Sequence, residues 1–116
     1  TIVSWSKQAL VCAAACDTLA AQGIQAELID LRTIWPWDRD TVLASAAKTG
    51  RLLVVHEAIQ AAGFGAEIAA TAAEATGCKI SRLGAPRIPV GYAPVLEAQS
   101  RVTADAIVAR VQQLLA

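Results

Sequence analysis

A chain of 116 residues with 55% hydrophobic and 17% charged side chains builds one domain that buries roughly two thirds of its unfolded surface, which excludes disorder and any need for disulfide staples. Ten basic residues offset ten acidic ones with no block of like charge, so neither nucleic acid nor an anionic membrane is favoured as partner. Three cysteines, odd in number and without a paired spacing, suit a reducing compartment. No apolar run reaches the length of a membrane span, and the N-terminus has no basic, apolar and small-residue segment typical of a signal peptide.

Ile2-Val3-Ser4-Trp5 reads as a strand, and Ser6 can cap a helix from Lys7 to about Gln22, with Leu10, Val11, Ala14 and Leu19 at helical steps. Gly23 ends it. Gln25 to Leu31 reads as a second strand, Trp35-Pro36-Trp37 turns the chain, and Asp38 caps a helix to about Lys48. The third strand runs from Arg51 to Glu57, the third helix from about Gly65 to Thr76, and Gly77 stops it before a fourth strand at Lys79 to Leu83. Pro86, Pro89, Gly91 and Pro94 make Gly84 to Pro94 an extended, irregular connection. The last helix spans about Thr103 to Leu115, with Ile107, Val108, Val111 and Leu115 on one stripe. The chain starts at Thr1 inside a strand-like run, which leads us to expect that it is the later part of a longer polypeptide.

Strands alternating with helices imply an α/β fold: a three-layer α/β/α sandwich on a mainly parallel sheet of four or five strands, joined by right-handed crossovers. If the first and third strands are neighbours, the loops after Trp5 and Glu57 flank a switch-point crevice, with His56 and Glu57 at its mouth.

Three ordered motifs carry a family resemblance: Glu27-Leu28-Ile29-Asp30-Leu31-Arg32-Thr33-Ile34-Trp35-Pro36-Trp37-Asp38, Lys48-Thr49-Gly50-Arg51-Leu52-Leu53-Val54-Val55-His56-Glu57-Ala58, and Gly63-Phe64-Gly65-Ala66-Glu67-Ile68. Tyr92-Ala93-Pro94-Val95-Leu96-Glu97 extends it. Together they resemble the C-terminal, transketolase C-terminal-like domain of the β subunit of 2-oxoacid dehydrogenase E1 components, so that residues 1–116 form that domain without its catalytic N-terminal half. The resemblance implies a sheet whose antiparallel edge strand precedes this segment, leaving four parallel strands with the second at an uncovered edge. It implies thiamine diphosphate and Mg in the full enzyme, with none bound to this piece. Its implied partners are an E1 α subunit or fused α-like domain, a second E1 β subunit, and the subunit-binding domain of an E2 acyltransferase. The implied role is assembly and docking, in the bacterial cytoplasm or the mitochondrial matrix. Rival readings are the equivalent domain of a transketolase, a deoxyxylulose phosphate synthase or an oxoacid ferredoxin oxidoreductase, and, outside enzymes, a flavodoxin-like binding module.

No catalytic, cofactor or metal set is read from the sequence. His56 and Glu57 are adjacent strand residues that point to opposite faces, so they do not pair; His56 is read as a packed or interface histidine rather than a proton shuttle. Glu57 is expected to accept backbone N–H groups or to pair with Arg32. Gly63-Phe64-Gly65 starts like a dinucleotide fingerprint, but Ile68 stands at the third glycine's place and the first βα turn has no glycine. Its glycines are expected to let Phe64 tuck against a neighbour, as an interface plug in the sharper version. Cys12 and Cys16 share a helix face without a second ligand pair, so they read as small buried hydrophobes. Trp35 and Trp37 form either a partner-binding knob or a lid over the second helix. The interface candidates are therefore His56, Glu57, Phe64, Arg32, Trp35 and Trp37.

Overall fold

The computed structural model describes all residues from Thr1 to Ala116. Four strands, β1 (Ile2–Trp5), β2 (Leu28–Leu31), β3 (Arg51–Ile59) and β4 (Lys79–Ala85), pair in the order β2-β1-β3-β4, and every pairing is parallel. The main helices are α1 (Ser6–Ala21), α2 (Arg39–Thr49), α3 (Gly65–Thr76) and α5 (Ala104–Leu115), with a short α4 (Pro94–Glu97) and a 3-10 turn at Ala98–Ser100.

Side-chain alternation along the strands sorts the core into two layers. Ile2, Leu53 and Val55 point to the face covered by α1 and α5, where they meet Cys12, Ala15, Leu19, Ile107 and Val111. Val3, Leu52 and Val54 point the other way, against Val42 and Ala46 of α2 and Ile68 and Ala72 of α3. Helices on both faces of an all-parallel sheet make the expected sandwich.

The helix ends follow local chemistry. Asp38 Oδ1 accepts the Thr41 amide at 3.2 Å and starts α2, while Gly50, at φ +68°, closes it. Thr103 Oγ1 does the same for α5, accepting from the Ala106 amide at 3.3 Å.

Four expectations need correction. Ser6 does not cap α1: it is the first helical residue and makes the turn out of β1 at φ +56°, behind an uncapped Trp5. The buried stripe of α1 is Gln8, Ala9, Cys12, Ala15 and Leu19, whereas Leu10 is 74% exposed, because alanines on every side of the helix leave its apolar phase undefined. On α5 the stripe ends at Leu114, not Leu115. The segment expected to be irregular from Gly84 to Pro94 is shorter at both ends, since Gly84 and Ala85 belong to β4 and Pro94 starts α4 from the first helical position.

Candidate functional site

Parallel pairing of β1 with β3, Ile2 opposite Leu53 and Val3 opposite Val54, makes their C-terminal ends the point where the strand order reverses. Open α/β sheets bind ligands in the crevice at such a point. Continuing that register brings Trp5 alongside His56, and here the crevice is filled: the two rings stack at 5.3 Å with 21° between planes. Phe64 closes the group from above, edge-on to Trp5 at 6.1 Å and 72°.

His56 is fully buried. Its Nδ1–H donates to the Ala58 carbonyl at 3.0 Å, which leaves Nε2 as the lone-pair nitrogen of a neutral ring. That nitrogen is buried without a hydrogen-bond partner. Burial pushes the imidazole below its ordinary pKa; the Ala58 bond opposes this and the charge of Arg82 adds to it.

Three glycines make room for the ring. A Cβ at Gly63 would stand 2.6 Å from His56 Cε1, one at Gly65 2.6 Å from Cδ2, and one at Gly84 2.8 Å from Cε1. The glycines around Phe64 thus serve the histidine first, although Phe64 does pack against a neighbour. Trp5 and Gly84 were missed as parts of this cluster. Strand parity could have found Trp5, since β1 and β3 end level on the same face.

Glu57 points to the opposite face, as adjacent strand residues must, and is exposed. The expected pair with Arg32 does not form. Arg32 follows β2 across the intervening β1 and pairs instead with Asp30 at 3.3 Å, largely in solvent. Glu57 lines a cleft of about 330 Å³ together with Lys7, Glu97 and Arg101, in which Arg101 already holds Glu97 at 2.9 Å. Trp37 is half-buried against the α2/α3 layer, while Trp35 is 77% exposed, near Ile34 at 43%. Ile34 and Leu10 border a surface depression of about 540 Å³ beside the ends of β1 and β2.

The chemistry available is therefore packing and recognition. No group of three His, Cys, Asp or Glu side chains converges to hold a metal ion, and a closed crevice leaves no bed for a nucleotide or flavin. These residues do not fit a diphosphate anchored through Mg. Cys12 is buried, and burial pushes its thiol up to about 11, far from a reactive thiolate. No helix is long and apolar enough to cross a membrane.

Comparison with known proteins gives a consistent set of likenesses. The family model described as transketolase, C-terminal domain, matches residues 1–107. The chain is 51% identical over 74 residues to the mitochondrial 2-oxoisovalerate dehydrogenase subunit beta 2 of Arabidopsis thaliana, covering 64% of this chain and 21% of that protein. It is 35% identical over 119 residues to the acetoin:2,6-dichlorophenolindophenol oxidoreductase subunit beta of Bacillus subtilis (strain 168), covering 99% and 35%. Among solved structures, a split gene transketolase, described as an inactive beta4 tetramer, superposes with a TM-score of 0.88 at 27% identity, covering 98% of this chain and 38% of that one. The chain thus spans between about a fifth and about a third of these two curated relatives.

Proposed function

The chain belongs to the transketolase C-terminal domain family, and from that premise we propose that it is the C-terminal domain of the β subunit of a thiamine diphosphate-dependent 2-oxoacid dehydrogenase E1 component. In that role residues 1–116 hold subunits together and dock the E2 acyltransferase through its subunit-binding domain. Oxidative decarboxylation and acyl transfer to lipoyl-E2 take place on other segments, which bind the cofactor and Mg. The partners are the E1 α subunit or a fused α-like domain, a second β subunit and E2. The relatives include mitochondrial and bacterial proteins, which supports the mitochondrial matrix or the bacterial cytoplasm as the site of the enzyme.

The observation that carries this reading is the 35% identity to a bacterial β subunit along 99% of the chain, joined to a switch point plugged by Trp5, His56 and Phe64. A domain whose ligand crevice is sealed has surfaces to offer rather than a pocket. Those surfaces include exposed apolar side chains: Trp35 at 77%, Val90 at 68%, Tyr92 fully, and Val95 at 72%. A second reading, the same domain of a transketolase, draws on the 27% identical structural neighbour.

Enzymology separates the readings. The intact β polypeptide that carries this domain, purified with its α partner, is expected to reduce a dye acceptor with a 2-oxoacid and to bind thiamine diphosphate by calorimetry; residues 1–116 alone are expected to do neither. Ketol transfer between sugar phosphates by the intact protein would favour the transketolase. Turnover of a 2-oxoacid by the 116-residue chain unaided overturns the proposal.

A further inference from the structure

Two arginines that form no ion pair line one cleft. Arg82 and Arg87 line a depression of about 480 Å³ with Gln60, Ala61 and Gly84. Arg82 is half-buried, and its Nη1 donates to the Gln60 carbonyl at 3.3 Å, while the Gly84 amide donates to Gln60 Oε1 at 3.2 Å. One N–H of the Arg82 head group is thus already engaged before anything binds. Arg87 is exposed on the segment that leaves β4. The ion pairs of the chain lie elsewhere, at Arg32–Asp30, Lys48–Glu27 and Arg101–Glu97. A third guanidinium, that of Arg110, donates to the Arg82 carbonyl at 2.8 Å, which adds positive charge behind the same strand. In a chain with equal numbers of acidic and basic residues, this corner concentrates uncompensated cations.

The rim of the cleft says what kind of anion it suits. The buried Ala85 and the exposed Pro86 line both this cleft and a second groove of about 300 Å³, walled by Ile59, Ile88 and Val90, which are 43%, 44% and 68% exposed. Glu57 and Glu97 stand in the lining of that groove. A free inorganic anion would use the arginine side alone and leave the apolar groove in water. An extended polypeptide crossing Pro86 uses both.

We propose that this double cleft docks an acidic-then-apolar segment of a partner polypeptide, its carboxylate taken by Arg82 and Arg87 and its apolar side chains laid on Ile59, Ile88 and Val90. Planar guanidinium groups receive a carboxylate through paired N–H donors, and the carboxylate of Glu57, which unlike Glu97 is held by no arginine, repels a segment laid in the opposite direction. The surface belongs to the 116-residue chain itself, so its test is separate from that of the dehydrogenase reading.

The probe is the peptide acetyl-Glu-Asp-Leu-Leu-amide, titrated into the chain at low salt and followed by amide NMR. The expected result is a saturable shift at Gly84 and Arg87, an affinity about fivefold weaker in Arg87→Glu, as loss of one exposed charge contact implies, and no loss in Arg39→Glu on α2. Added salt weakens it further. Should Arg87→Glu misfold, Arg87→Gln serves, with unchanged resonances outside the cleft as its control. The proposal fails if acetyl-Lys-Lys-Leu-Leu-amide shifts the same amides equally, if the Arg87 variants bind unchanged, or if inorganic phosphate alone at the same concentration reproduces the effect.

Discussion

Replacing Gly65 by alanine sets two effects against each other, and the packing around His56 decides the sign. Gly65 is the first residue of α3 and does not have a left-handed backbone, so helix propensity alone favours alanine by up to about 1 kcal/mol. The added methyl, however, would lie 2.6 Å from His56 Cδ2, 2.7 Å from Nε2 and 3.2 Å from Val54 Cγ1. The ring cannot swing away, because it is fully buried, stacked on Trp5 and bonded to the Ala58 carbonyl. Overpacking of this kind costs about 1–3 kcal/mol, so the net expectation is a loss of about 1–2 kcal/mol. Urea unfolding of Gly65→Ala should show a midpoint lower by roughly 0.3–1 M with an unchanged slope. In a His56→Ala background the obstacle is gone, and the same substitution should become neutral or stabilising, a coupling of about 2 kcal/mol. A Gly65→Ala protein more stable than the parent would falsify the cradle argument, as would equal effects in the two backgrounds.

Other outcomes follow from the same geometry. His56 has a native pKa held below its ordinary 6.5, so the unfolded chain takes up its proton first; stability contributed by the neutral ring is present above pH 6.5 and declines as pH falls from there to the lowered native value, at no more than about 1.4 kcal/mol per pH unit. Chemical denaturation across pH 7 to 5 should show that slope, and His56→Gln should flatten it. Ser6 stands at φ +56°, where glycine is free of strain, so Ser6→Gly should raise stability by about 1 kcal/mol in thermal or urea melts; a fall would mean that the hydroxyl has a role the backbone does not reveal. Cys12, its thiol raised to about 11 by burial, should resist thiol reagents at pH 8 in the native state and react promptly in denaturant. Because β2 and β4 are both open edges, sedimentation of the isolated chain should show reversible self-association at high concentration, and a strict monomer would count against edge pairing.

How much of this was legible in the residues depended on contrast. The run Leu52 to His56 is apolar on both faces, which marks a strand buried under helices, and Gly50 and Gly77 punctuate the helices as left-handed ends. In α1 the contrast vanishes. Alanine and cysteine fit either face, and Gln8, polar by type, is buried because its Nε2 donates to the Val102 carbonyl at 3.2 Å, a partner far along the chain. His56 is packed and fully buried, but its surroundings come from β1, the loop before α3 and β4, and no local pattern announces a meeting of Trp5, Gly63 and Gly84. The Arg32–Glu57 pair failed for a topological reason: β1 separates the two strand ends, and Glu57 points toward the α1/α5 layer.

The layer formed by α1 and α5 has a consequence for how the protein is made. Ile2, Cys12 and Leu19, all from the first fifth of the chain, are covered by Ile107, Val108, Val111 and Leu114 near its end. Parallel strands also offer no hairpin to nucleate on, since each pairing has to wait for a crossover. During synthesis, this half of the core therefore stays incomplete until α5 has left the ribosome, which rules out locking the domain stepwise from its first strand.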